Sequence, residues 1–329
     1  MKVVILFFSN TGSTKAMALT FQKHLEGAGH TVSLQDGFLI LKQYLAAGEK
    51  EVTPLLSNYH NDLKEADIVG IGSYVSGLTL AGGAAKLMTE EATPTSYFAN
   101  MKYYFAFSSY GNIQGWAVQY LATYLKHKNE NAKFLGLVSQ HDPENFIPLQ
   151  PARGRIDEIP AAELKKVDDF GKDLISRLNG APLPPLHSIV TRTVQSATAK
   201  PISVIGPIKL DADKCIACYK CVTICPYNAL SKPEEGSTLK IPTWDKSSCY
   251  GCGRCFNFCP ARAIEFPRFR SQEREQYYWG KSDPKLITQP MSRTVSCDTP
   301  QVMLILKPLE LLVLVFSYLF HPYTNVSTS

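Results

Sequence analysis

The sequence predicts an α/β fold, a doubly wound parallel sheet, followed by a second and smaller cysteine-rich domain. Two observations carry this. Residues 1–180 alternate short apolar runs with stretches of helical period, the pattern of a parallel sheet covered on both faces. Eight of the nine cysteines lie between Cys215 and Cys259, and residues 1–214 contain none. A length of 329 residues, 45% of them hydrophobic and 19% charged, suits about two globular domains and excludes disorder or a collagen-like fibre.

Five strands follow in order: Val3 to Phe8, Thr31 to Leu34, Ile68 to Gly72, Tyr103 to Ser108 and Phe134 to Ser139. Most are unbroken apolar runs, as strands buried on both faces require. Of the helices between them, the first carries Met17, Phe21 and Leu25 at helical spacing, and the fourth Trp116, Tyr120, Leu121 and Tyr124. A fifth, with Leu164, Val167, Leu174 and Leu178 on one side, ends at Asn179-Gly180. Residues 181–207 hold five prolines and few bulky side chains, a linker that would span roughly 30 Å if flexible. A cysteine-rich domain at 208–266 and an extension at 267–329 complete the division.

The cysteine-rich stretch is an internal repeat. Cys215-Ile-Ala-Cys218-Tyr-Lys-Cys221-Val-Thr-Ile-Cys225-Pro226 recurs 34 residues later as Cys249-Tyr-Gly-Cys252-Gly-Arg-Cys255-Phe-Asn-Phe-Cys259-Pro260. Each copy reads C-x2-C-x2-C-x3-C-P, the run of bacterial two-cluster ferredoxins, whose fourth cysteine ligates the other cluster. The resemblance implies two [4Fe-4S] clusters, one held by Cys215, Cys218, Cys221 and Cys259, the other by Cys249, Cys252, Cys255 and Cys225. Paired C-x2-C motifs also bind zinc, but zinc leaves the x3 spacing and the trailing proline unexplained. A radical-SAM site would need C-x3-C-x2-C, which does not occur. Cys297 reads as a passive thiol.

After the first strand the chain runs Ser9-Asn10-Thr11-Gly12-Ser13-Thr14-Lys15 into a helix, setting hydroxyls and backbone amides at a helix N-terminus, where an anion is stabilised. Neither the G-x4-G-K-(S/T) of nucleotide-hydrolase loops nor G-x-G-x-x-G is present. Gly70-Ile71-Gly72 lacks a third glycine and reads as a strand end. The turn resembles the flavodoxin phosphate loop, (S/T)-x-T-G-x-T. That resemblance implies strand order 2-1-3-4-5 and FMN at the carboxyl ends of the strands. Ser9, Asn10, Thr11, Gly12, Ser13 and Thr14 would hold the phosphate. The loops Ser73-Tyr74-Val75-Ser76-Gly77 and Ser108-Ser109-Tyr110-Gly111-Asn112 would flank the isoalloxazine ring, with Tyr74 and Tyr110 as candidate stacking residues. The strand-three loop lacks the acidic, Gly-rich character of many flavodoxins.

Residues 1 to about 266 thus look like the fused flavodoxin-ferredoxin proteins of anaerobic microbes. Their resemblance implies an electron-transfer iron-sulfur flavoprotein with a low-potential redox partner protein. Two alternatives stay open: a ferredoxin-fed FMN-dependent reductase of a small-molecule acceptor such as a quinone or nitro compound, and a redox-sensing module with structural clusters. No catalytic residue is assigned. The formal charge of +5 has no dense basic block behind it, and two oxidised clusters with an FMN phosphate bring it to about −1; a nucleic-acid partner is not expected. The seven histidines are scattered without metal spacing. Asp168 and Asp169 read as exposed, and Arg254 and Arg262 as solvated.

The start of the chain shows no signal-peptide pattern, and the clustered thiols suit a reducing compartment, so a cytoplasmic location is expected. Residues 302–320 contain 15 apolar residues of 19, long enough to span a membrane, but Lys307, Pro308 and Glu310 interrupt them. A membrane tail, a packed helix and an unordered extension all remain open there.

Overall fold

The computed structural model of the chain describes residues 1–47, 53–76, 79–80, 82–112, 114–143, 159–186, 206–238 and 240–269. Most of the linker, most of the carboxyl-terminal extension, its apolar run and Cys297 lie outside them. Among the described residues no helix is long and apolar enough to cross a membrane.

The first unit runs β1 (Lys2–Phe8), α1 (Ser13–Gly27), β2 (Thr31–Asp36), α2 (Gly37–Ala47), α3 (Pro54–Glu65), β3 (Ile68–Ser76), β4 (Thr79–Leu80), α4 (Gly82–Leu87), β5 (Tyr103–Tyr110), α5 (Ala117–Lys128), β6 (Lys133–His141) and α6 (Ala161–Leu178). The five long strands are parallel in the order β2-β1-β3-β5-β6, the 2-1-3-4-5 arrangement, with β4 folded back antiparallel on β3. Alternate side chains of β1 explain the layers. Val4, Leu6 and Phe8 face a core with α2, α3 and α5, while Val3, Ile5 and Phe7 face another with Met17, Phe21 and Leu25 of α1 and with α6. His24 of α1 bonds Asp168 of α6 at 2.8 Å, tying the two helices of the second layer.

Three expectations change. Gly70 and Gly72 are mid-strand: a Cβ on Gly72 would meet the Phe107 ring at 2.1 Å and one on Gly70 the Phe105 ring at 2.2 Å, so these glycines seat two rings of the neighbouring strand. Ser73, Tyr74 and Val75 extend β3, and Ser109 and Tyr110 extend β5, because ladder pairing continues through Tyr74↔Ser109 and Tyr110↔His141 past the apolar runs. Trp116 lies just before α5 and is 51% exposed, whereas Leu121, Tyr120 and Tyr124 pack on the core as expected, joined there by Val118 and Leu125.

The cysteine-rich segment contains β7 (Lys209–Leu210), α7 (Lys220–Ile224), β8 (Leu230–Ser231), β9 (Thr243–Trp244), α8 (Arg254–Phe258) and β10 (Ile264–Glu265). β7 pairs β10 and β8 pairs β9, both antiparallel. Every one of these elements recurs 34 residues on, so the repeat extends beyond the cysteine runs. Its own small core is Ile208, Leu230, Phe256, Ile264 and Phe266. Cys225, Tyr227, Ala229 and Tyr250 belong to the core of the first unit, continuous with Phe38 and Leu41 of α2.

Candidate functional site

Backbone geometry explains why each cysteine run can wrap a cluster. Ala217 and Tyr219 in the first copy have φ near 52°, and Gly251 and Gly253, their equivalents, φ 86° and 71°. Two left-handed residues per run curl the chain so that amides turn inward, toward sulfur. Asn228 and Arg262, another equivalent pair, share φ 51° just after the prolines. Accepting this conformation at non-glycine positions costs about 1–2 kcal/mol each, which the cluster fold must offset.

The thiols fall into two neighbourhoods. Cys225, Cys249, Cys252 and Cys255 line one cavity together with Trp244 and Tyr250. Cys221 has Cys259, Cys218 and Cys215 as its charged neighbours. The remote cysteine of each run therefore lies with the three close cysteines of the other. Burial pushes the Cys252 thiol up to about 12 and the Cys221 thiol up to about 11, and raises Cys255 well above the usual thiol value. Buried thiolates need a compensating charge, which iron would supply. The donors fit that role: the Gly251 amide favours the thiolate of Cys249, and the Ala263 amide donates to Cys259 Sγ at 3.3 Å. Among the described residues no three His, Cys, Asp or Glu side chains converge on a point fit for a single metal ion.

The turn after β1 lies at the carboxyl end of the sheet. Gly12 precedes α1 at φ 110° and has no side chain to cap it, so the amides of Ser13 and Thr14 have no side-chain acceptor from the N-cap residue. Ser9 Oγ accepts from the Gly12 and Lys15 amides at 3.1 and 3.2 Å, and Thr14 Oγ1 bonds Ser109 Oγ at 2.9 Å. Ser13 Oγ and Asn10 Oδ1 are buried without a hydrogen-bond partner. A helix start whose N-cap residue is glycine, beside a buried, unpartnered hydroxyl, fits a phosphate group. The remaining expected contacts spread along the strand ends. Ser108 bonds Ser139 at 2.8 Å, Ser73 donates to the Tyr74 carbonyl, and Tyr110 stacks on His141 at 5.2 Å and 14°. Gly111 follows in the bend that ends β5. Tyr74 is 9% exposed, packs on Phe38, and has its hydroxyl buried without a partner; burial and nearby Cys252 and Tyr250 raise it well above its ordinary value.

The two sites touch. Asn10 Nδ2 donates to the Cys252 carbonyl at 2.9 Å, and Arg254 Nη1 donates to the Ser9 carbonyl at 2.7 Å. Arg254, expected in solvent, instead sits over the rings of Phe38 and Phe258 at 5.7 and 5.6 Å. Tyr227 and Tyr250 stack at 5.0 Å and 19° against the sheet, with the Gly83 amide donating to the Tyr227 hydroxyl. Lys42 Nζ caps α7 through the Val222 and Thr223 carbonyls, both at 2.8 Å, and Asn228 donates to the Lys42 carbonyl. Lys42, Tyr227, Asn228 and Tyr250 escaped sequence reasoning. The signal available was the difference between repeat copies, where Ile216 and Lys220 become Tyr250 and Arg254.

Residues 214–263 match the 4Fe-4S dicluster domain family. No curated protein sequence matches the chain. Among solved structures, the chain is similar to a flavodoxin from the domain Archaea, at 18% identity over 54% of this chain and 99% of that one, with TM-score 0.37. It is also similar to rubredoxin oxygen:oxidoreductase from the anaerobe Desulfovibrio gigas, at 17% identity over 54% of this chain, TM-score 0.37, covering about a third of that protein (36%). Two-electron reduced Megasphaera elsdenii flavodoxin matches at 15% identity over 53% of this chain and 98% of its own, TM-score 0.34. The chain joins an α/β unit with the flavodoxin-like 2-1-3-4-5 sheet to a segment, residues 214–263, that matches the 4Fe-4S dicluster domain family.

Proposed function

We propose that this protein is an intracellular electron-transfer iron-sulfur flavoprotein that passes electrons between two [4Fe-4S] clusters and FMN. One cluster would be held by Cys215, Cys218, Cys221 and Cys259, the other by Cys249, Cys252, Cys255 and Cys225. The flavin phosphate would lie on the Ser9 to Thr14 turn. When bound, FMN supplies a centre that holds one or two electrons, whereas each cluster passes one at a time.

The observation that carries this reading is the contact between the Cys252 carbonyl and Asn10 of the phosphate turn, at 2.9 Å. Tunnelling falls steeply with distance, and this hydrogen bond holds the second repeat against the flavin turn. Cys218 and neighbouring Ile216 are exposed, which suits the first cluster as the port for a low-potential redox partner protein. Tyr74, Tyr227 and Tyr250 exclude water between the second cluster and the sheet.

The test is an anaerobic count of heat-released flavin, iron and acid-labile sulfide per chain. About one FMN with about eight iron and eight sulfide is expected. Eight iron without flavin would sink the electron path, leaving a ferredoxin on an empty α/β scaffold.

A further inference from the structure

Arg254 opens α8 one residue after left-handed Gly253, and that turn aims its side chain out of the cysteine-rich segment at the Ser9 to Thr14 turn. Three features suggest that it lacks a counter-ion. Among the described residues only Nη1 has an acceptor, the Ser9 carbonyl, Nε is buried without a partner, and no ion pair involves Arg254. A partly buried guanidinium whose Nε is shut off from water without an acceptor is costly, so such a site calls for an anion. The surroundings hold the group still, with Phe38 from the α/β unit on one side and Phe258 on the other. In the turn it touches, Ser13 Oγ is also buried and unpartnered, and Ser13 is 1% exposed. Lys15, the cation inside the turn, is exposed.

We propose that Arg254 is a ligand of the flavin phosphate, supplied by the ferredoxin segment to a site whose other donors belong to the α/β unit. This rests on the reading of the turn as an FMN site and goes beyond it: flavin affinity then depends on the second repeat being folded and docked, and by linkage the flavin strengthens that docking. Arginine suits the position because its planar fork can keep the Ser9 carbonyl while offering further donors to phosphate, which the lysine at the equivalent position of the first repeat, Lys220, could not do in the same geometry.

The experiment titrates FMN, riboflavin and inorganic phosphate into flavin-stripped, iron-loaded chain, following flavin fluorescence, for the wild type and Arg254→Gln. Iron is counted in each sample. FMN affinity is expected to fall about tenfold to a hundredfold in the variant. Riboflavin, which lacks the phosphate, is expected to bind both alike, and phosphate to compete with FMN only in the wild type. An equal loss for FMN and riboflavin would reduce Arg254 to a docking strap and overturn the proposal while leaving the FMN site standing. Unchanged FMN binding would do the same. A wild type that binds no FMN would remove both.

Arg254→Met, which keeps the contacts with Phe38 and Phe258, is read in place of the glutamine variant if that one loses iron. If neither keeps iron, the wild type is compared before and after chelation of its iron, which unfolds the loop bearing Arg254. FMN should then weaken relative to riboflavin, and an unchanged ratio overturns the proposal.

Discussion

The two cysteine repeats adopt the same backbone and meet different surroundings. Ile216 in the first is 65% exposed; its equivalent Tyr250 is 6% exposed and stacked on Tyr227. Cys218 is exposed, whereas burial drives its equivalent Cys252 up to about 12. Lys220 lies over the Phe258 ring, while Arg254 crosses to the Ser9 carbonyl. The first repeat also carries its left-handed residues as Ala217 and Tyr219, where the second uses glycine. A duplicated, pseudo-symmetric unit thus exposes the start of its first cysteine run, at Ile216 and Cys218, and buries the matching start of its second, while Cys225, Tyr227 and Ala229 of the first copy also reach the core of the α/β unit. In the proposed electron path this asymmetry would set the two clusters apart, because the cysteine motifs by themselves are equivalent.

The sharpest way to break the comparison is Cys225→Ala. Cys225 sits in the first run but lies with the buried thiols, so about four of about eight iron should be lost, and from the buried side. The reduced variant should give the same paramagnetic resonance spectrum as Cys252→Ala. A spectrum matching Cys218→Ala would undo the crossed assignment.

Lys42→Ala tests the docking from the α/β side. It removes two charge-assisted hydrogen bonds to the carbonyl end of α7, and with Lys42 half-buried the cost should be about 1–2 kcal/mol. Denaturant midpoints of the loaded chain would register it. An unchanged midpoint would mean that the two units hold together without this contact.

A smaller effect separates the copies by strain. Gly253→Ala forces a Cβ into a left-handed position and should cost about 1 kcal/mol, whereas Ala217→Gly removes such a clash and should be neutral or slightly stabilising, as the gain is offset by unfolded-chain entropy. Thermal melts under anaerobic conditions compare the two. Equal destabilisation by both substitutions would show that the left-handed turns do not govern the difference.

Much of this architecture was legible because it repeats or alternates. The apolar runs marked all five long strands, and the 34-residue offset marked the cysteine-rich unit, since period and spacing survive in a single sequence. The ends of β3 and β5 were not legible: Ser73 and Ser109 are polar, and their strand pairing comes from neighbouring backbones rather than from hydrophobic pattern. The meeting of the two sites was hidden for a related reason. Asn10 and Cys252 are 242 residues apart, and an asparagine donating to a backbone carbonyl leaves no pattern. Arg254 looked like a solvated charge because only the fold brings Ser9 and Phe38 around it.

The smallest expected difference concerns the residue that opens each run. Asp211 and Asp245, four residues before Cys215 and Cys249, both turn the chain with their carboxylates. Asp245 accepts from the Ser247 amide and hydroxyl and the Ser248 amide, which hold it down to about 2, while Lys214 lowers Asp211 through an exposed ion pair. A carboxylate depressed in the folded chain adds stability above its ordinary value near 3.8, and that contribution fades as pH falls toward 2. Asp245→Asn should therefore lower the denaturant midpoint of the loaded chain at pH 6, where that contribution is fully present. Salt should weaken the effect of Asp211→Asn more than that of Asp245→Asn, because an exposed ion pair is screened and a hydrogen-bonded turn is not. If both substitutions responded alike to salt, the opening turns would be as equivalent as the sequence repeat suggests, and the asymmetry would begin only at the cysteines.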